Sequence, residues 1–142
     1  RGHLQGRFVR VVLDTNVLLA GLATHGLCEA LLKLVYRDHV VIVSEHILDE
    51  VARHYGGKFK ATRAQVDAVI AFLRSGGEIV IPAKVPLDTL HDRDDLPVLG
   101  TAVAGTATCI VSGDAELLAL GTFAGIDILS PRAFYDRLKG DR

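Results

Sequence analysis

The chain has 142 residues, 49% of them hydrophobic, with a mean hydropathy of +0.31, which supplies one substantial core and suits one domain rather than two. A formal net charge of −1 and a sequence pI near 6.6 exclude a global basic field, so any contact with nucleic acid has to come from a local patch. No apolar run approaches the roughly 18 residues of a membrane span, and Cys28 and Cys109, far apart and without C-x-x-C spacing or a leader pattern, point to a reducing, cytoplasmic setting.

Residues 1–6, Arg1-Gly2-His3-Leu4-Gln5-Gly6, read as an expression remnant or a disordered N-terminus, and the folded domain is expected over residues 7–139. The first strand is expected at Arg7–Leu13, and it ends on an acid, Asp14-Thr15-Asn16, ahead of a helix. Cys28–Tyr36 carries Leu31, Leu32, Leu34 and Val35 at helical spacing, and His39–Val43 is a second strand. Glu45–His54, with Ile47, Leu48 and Val51, and Arg63–Arg74, with Val66, Val69, Ile70 and Leu73, are further helices. Glu78–Ile81 is a third strand, Asp95–Gly105 a helix, Ala107–Val111 a fourth strand, Ala115–Leu120 a short helix stopped by Gly121, and Asp127–Leu129 a fifth strand. Ser130-Pro131 starts the last helix with an N-cap followed by proline. The strands are short, continuous and rich in Val and Ile, as strands covered on both faces are. Alternation of strands with helices predicts a three-layer α/β/α fold around a central, mostly parallel five-stranded sheet, with ligands bound beyond the carboxyl ends of the strands.

Four acids gather at that edge: Asp14, Glu50, Asp95 and Asp114. Asp14 and Asp114 each have a second explanation, because both precede a helix and Asp is a favoured N-cap. Glu50 flanks the apolar stripe of its helix while Asp49 points away. Asp95 is in register with Val98, Leu99 and Ala102, so it stands on an apolar face and needs a partner. Buried carboxylates repel one another and take up protons unless a cation compensates. No Lys or Arg recurs beside these acids at matching spacing, and Arg93 offsets Asp92 and Asp94. An all-oxygen ligand set selects Mg²⁺ or Mn²⁺ over zinc and leaves room for waters and a substrate phosphate.

Leu13-Asp14-Thr15-Asn16, Ser44 with Glu50, Asp92-x-Asp94-Asp95 with Val98-Leu99 and Ala102, and Ser112-Gly113-Asp114 with Leu117-Leu118 together resemble the PIN domain family over nearly the whole chain. The resemblance is to the VapC-like PIN ribonucleases described as toxins of toxin–antitoxin pairs. It implies Mg²⁺- or Mn²⁺-dependent endonuclease activity on RNA, with one or two ions and cleavage to 5′-phosphate and 3′-hydroxyl ends. Carried over by residue, Asp14, Glu50, Asp95 and Asp114 are the catalytic metal ligands. Asp92 is a further acid beside a second ion, and Thr15, Asn16 and Ser112 orient carboxylates or water. A small antitoxin partner and a homodimer are also implied. Arg93 stands where relatives often have proline, and Ser112 where many have threonine; neither removes a ligand.

Beyond Glu50, the stretch Arg53-His54-Tyr55-Gly56-Gly57-Lys58-Phe59-Lys60-Ala61-Thr62-Arg63 is the densest in basic residues and interleaves two aromatics. Arg53, Lys58, Lys60 and Arg63 are candidate RNA contacts, and the other reading is a solvated loop whose aromatics pack on the core. His46 and His54 flank Glu50 at i−4 and i+4 and are expected as partly exposed residues, His91 is a loop residue, and Cys109 a core packer. A phosphatase of the haloacid-dehalogenase type needs a second aspartate where Asn16 stands, a receiver domain needs a lysine after the last strand, and a nucleotide-binding module needs a glycine-rich first turn. The remaining rival is a catalytically silent PIN fold that binds RNA or protein.

Overall fold

The computed structural model describes residues 8–140. The expected N-terminal segment 1–6 and the strand start at Arg7 lie outside the described residues. The chain runs β1 (Arg10–Leu13), α1 (Thr15–Ala23), α2 (Leu27–Asp38), β2 (Val40–Val43), α3 (Glu45–Gly57), α4 (Arg63–Ser75), β3 (Glu78–Ile79), a 3-10 turn (Arg93–Asp95), α5 (Leu96–Ala104), β4 (Cys109–Val111), α6 (Ala115–Leu120), β5 (Thr122–Phe123), β6 (Ile126–Leu129) and α7 (Pro131–Lys139). Among the described residues no single helix is long and apolar enough to cross a membrane.

The sheet has six strands in the order β3-β2-β1-β4-β6-β5. All neighbouring pairs are parallel except β5 with β6. The expected count of five is corrected by β5, which pairs Thr122 with Asp127 and Phe123 with Ile126 across a tight turn. Ala124 at φ 50° and Gly125 at φ 79° both lie in the left-handed region, the backbone of a primed hairpin turn. Several limits also move: β3 stops at Ile79, β4 starts at Cys109, and α3 continues to Gly57.

Each central strand is sealed on both faces. Val11, Val12, Leu13, Val41, Ile42, Val43, Cys109, Ile110 and Val111 are all essentially solvent-free, so the period-2 alternation of a one-sided sheet is absent. Burying each such side chain contributes roughly 1.5–3 kcal/mol. The helices close over this layer with defined ends. Ser44 accepts from the Ile47 amide, Thr62 and Gln65 form a reciprocal capping box, and Ser130 caps the proline-led α7.

The order of strands fixes where a site can form. From β1 the chain moves outward on one side through β2 and β3, then returns to β4 on the other side of β1. The crevice beyond the carboxyl ends of β1 and β4 is therefore the topological switch point, where open α/β sheets bind ligands. At the opposite end of the sheet, Arg10 ties β1 to Glu78 through two hydrogen bonds of 2.6 and 3.2 Å and to the Gly105 carbonyl at 2.7 and 3.0 Å.

Candidate metal centre

Asp14 follows β1 and Ser112 and Asp114 follow β4, so the switch point carries two acids, with the Ser112 hydroxyl linking the Asp14 carboxylate to the Asp114 backbone. Ser112 is fully buried. Its Oγ donates to Asp14 Oδ2 and accepts from the Asp114 amide at 2.9 Å. Asp14 is 6% exposed and also accepts from the Asn16 amide at 2.8 Å, and Asp114 accepts from the Leu117 amide at 3.0 Å. Both acids therefore cap their helices, the second explanation open to an Asp ahead of a helix, and each keeps lone pairs for another partner.

Glu50 comes in from α3. Thr15, the first residue of α1, donates from Oγ1 to Glu50 Oε1 at 2.7 Å. His46 Nε2 lies 3.6 Å from Oε1, and Arg53 approaches Oε2 at 4.0 Å from an exposed position. Asp95 ends the 3-10 turn and precedes α5, whose Val98, Leu99 and Ala102 are buried against the core.

These four acids line one cavity of about 110 Å³, together with Thr15, Asn16, His54 and Val98. No Lys or Arg lines it among the described residues. Crowding of charge shows in the acids themselves. Burial, followed by repulsion from Asp92, Asp114, Asp14 and Glu50, pushes the Asp95 carboxyl up to about 7. Burial also raises Asp14, against the opposing effect of its bonds from Ser112 and Asn16, and repulsion from Asp114 and Glu50 adds to the rise.

A cation is the compensation that the donor set fits. At roughly 30 Å³ per water, the cavity holds only a few waters, or a small ion with part of its hydration shell. Among the described residues no three Asp, Glu, His or Cys side chains are drawn into a ready ligand shell. The carboxylates stand around the cavity wall and leave its centre open. Mg²⁺ and Mn²⁺ suit such a wall, because a small hard cation keeps waters and uses few carboxylates, whereas zinc prefers a closed N/S set.

Asp92 falls outside the cavity. Its carboxylate caps the 3-10 turn by accepting from the Asp94 amide at 2.9 Å; its carbonyl accepts from the Asp95 amide at 3.3 Å, and its charge raises the Asp95 carboxyl. Glu116, which sequence reasoning passed over, accepts from the His91 and Asp92 amides and so fixes the approach to Asp95. No spacing rule relates residue 116 to a loop 25 positions earlier. Both histidines of α3 are partly exposed, as expected, although His54 lines the acid cavity and His46 Nε2 is buried without a hydrogen bond. The four basic candidates Arg53, Lys58, Lys60 and Arg63 are exposed on α3, its exit and the start of α4. A wider cavity of about 590 Å³ lies beyond His46, between Pro82–Val85 and α5, and has no acid in its lining.

The PIN domain family model matches residues 10–116. In that span lie all four cavity acids and Ser112. A similar solved structure is that of VapBC2 from Rickettsia felis bound to a DNA fragment from their promoter, at a TM-score of 0.61 and 16% identity, covering 85% of this chain and 98% of that one. At that identity the likeness speaks for the fold. No curated protein matches the chain. The family match over most of the length, with the switch-point sheet and acid cavity behind it, shows that this chain belongs to the PIN domain family, whose members are generally nucleases.

Proposed function

We propose that this chain is a divalent-metal-dependent endoribonuclease that hydrolyses RNA phosphodiester bonds, and that it acts in a reducing cytoplasm as the toxin of a toxin–antitoxin pair. The observation that carries the reading is the convergence of Asp14, Glu50, Asp95 and Asp114, from four separate elements, on one small cavity that no Lys or Arg lines among the described residues. Such a wall has a standing electrostatic cost that a scaffold gains nothing by keeping. Mg²⁺ or Mn²⁺ held there would acidify a water and offset the charge that builds on the scissile phosphate.

The chain's own groups divide the remaining work. Asp14, clamped by the Ser112 hydroxyl and the Asn16 amide, is the fixed ligand, and Thr15 aims Glu50. Burial and the acids around it hold the Asp95 carboxyl at about 7 before any cation arrives, so an ion taken up there would displace a proton. Asp114 faces Asp14 across the Ser112 bridge. Asp92, outside the cavity, serves a second ion only if the 3-10 turn shifts. Arg53, Lys58, Lys60 and Arg63 present a basic edge to the RNA backbone. The toxin assignment extends to this chain the VapBC2 likeness and brings with it a small antitoxin partner; the family resemblance adds a homodimer.

Purified protein incubated with mixed single-stranded and hairpin RNAs in Mn²⁺, Mg²⁺ or EDTA tests the proposal. We expect metal-dependent cutting to 5′-phosphate ends, absent in EDTA and reduced at least a hundredfold in Asp14→Asn. Binding of RNA without cutting under every metal would instead assign the chain to the silent, RNA-binding class.

A further inference from the structure

Beside the acid cavity lies a second hollow, a groove of about 410 Å³ between α1 and the exit of α3. The two share Asn16 and His54 as a common ridge. Leu19, Ala20 and Thr24 of α1 form one side of the groove, and Lys58 and Phe59 the other. We infer that this groove is a subsite for one unpaired nucleobase of the RNA, with Phe59 as its stacking platform and Lys58 as the contact to the adjoining phosphate.

The inference rests on the endonuclease reading and adds to it which part of the substrate is held, and by what. Size separates the two hollows: the acid cavity admits an ion and a few oxygens, while the groove has the volume of a small-ligand site and takes a nucleoside. Chemistry separates them too. Phe59 is 39% exposed, a phenyl ring that the core has not absorbed. Lys58 Nζ stands 6.0 Å from the ring centroid and makes no ion pair among the described residues. An aromatic face with a cation beside it matches the repeating unit of a single strand, a base flanked by a phosphate.

The platform is also held in place. The Phe59 amide donates to the His54 carbonyl at 3.2 Å and the Ala61 amide to the Tyr55 carbonyl at 3.0 Å, so the chain leaves α3 along a fixed path. The Tyr55 ring backs Phe59 at 6.3 Å between centroids. Lys60, at φ 55°, takes a left-handed turn directly after Phe59, and its amide donates to the Gly57 carbonyl at 3.2 Å. Because the groove adjoins the acid cavity across Asn16 and His54, a base seated on Phe59 belongs to a nucleotide next to the bond that is cut.

A single-stranded RNA octamer, intact or with an abasic site at each position in turn, tests this with wild type, Phe59→Ala and Phe59→Trp in Mn²⁺. Stacking of a base on an aromatic ring predicts that one abasic position beside the cut lowers kcat/KM roughly tenfold in wild type. Phe59→Ala should lose a similar factor on intact RNA and lose nothing further at that position, while Phe59→Trp, which keeps an aromatic face, remains sensitive to the abasic position. Melting temperatures of the variants check that the fold is kept. Wild-type kcat/KM in Phe59→Ala, or losses that multiply, would overturn the subsite while leaving the nuclease standing. If wild type cuts no RNA, the nuclease reading fails separately. Anisotropy of a labelled octamer then decides the subsite: weaker binding in Phe59→Ala supports it, and equal or absent binding overturns it.

Discussion

Asp95 is the residue on which charge, burial and chemistry meet most sharply. Its carboxyl sits at about 7 in the folded protein against an ordinary 3.8, so the native state binds more protons than the unfolded chain between those values. Stability of the metal-free protein therefore falls as pH rises from about 4 to 7, since the slope follows the difference in bound protons. Asp95→Asn should flatten that decline and melt higher than wild type at pH 8 without metal, as followed by circular dichroism. A variant with the same pH profile as wild type would place the charge crowding elsewhere. The candidate residues divide by how their roles are encoded. Asp14, Glu50, Asp95 and Asp114 were legible because an acid at a strand end or on an apolar helical face conflicts with its surroundings. Ser112 and Thr15 were reached through family resemblance, and their partners, 98 and 35 positions away, emerge only when the chain is folded. Asp92 and Glu116 exchange the significance their sequence contexts suggest. Asp92 caps its own turn, and Glu116, on an ordinary helical position, secures the loop ahead of Asp95.

At the level of elements, the loop before α5 is carried to the site by a close crossing. The Ala83 amide donates to the Gly100 carbonyl at 2.9 Å, and a Cβ at residue 100 would stand 2.3 Å from the Ala83 carbonyl oxygen. Backbone cannot yield as a flexible side chain does. Gly100→Ala should therefore cost about 1–3 kcal/mol or more in urea unfolding, whereas Gly113→Ala, which meets nothing within 4 Å, should stay within about 0.5 kcal/mol. Equal effects would mean that the crossing relaxes freely. The parallel strands were readable because strands covered on both faces become continuous Val and Ile runs. β5 was not, since two residues carry no period, and its turn uses Ala124-Gly125 in place of the Asn-Gly or Asp-Gly pair that marks such hairpins. α1 left its limits unmarked for a related reason. Val17, Leu18, Leu19 and Gly21 are all buried, so polar and apolar faces do not alternate along it. The last turn of α3 was missed because Gly56-Gly57 reads as a break, yet the helix continues through both.

For the molecule as a whole, a net charge of −1 means that RNA is not gathered by a broad positive field. The basic edge at Arg53, Lys58, Lys60 and Arg63 is small and local. With about 0.7 counterions released per phosphate of a single strand, four such contacts predict a log–log salt slope for RNA affinity no steeper than about −3. A much steeper slope, measured by anisotropy over a range of KCl, would point to a second basic surface, such as one built by a partner copy. The central claim is that the acid cavity holds the cation that enables RNA cleavage. Its most direct test is a calorimetric titration of Mn²⁺ at pH 7.5 into wild type, Asp14→Asn and Asp95→Asn, with RNA cutting measured on the same samples. The account predicts saturable binding of one or two ions to wild type, weakened at least tenfold in both variants, with cutting lost in parallel. Cutting that persists in EDTA, or in both variants without bound metal, would contradict it.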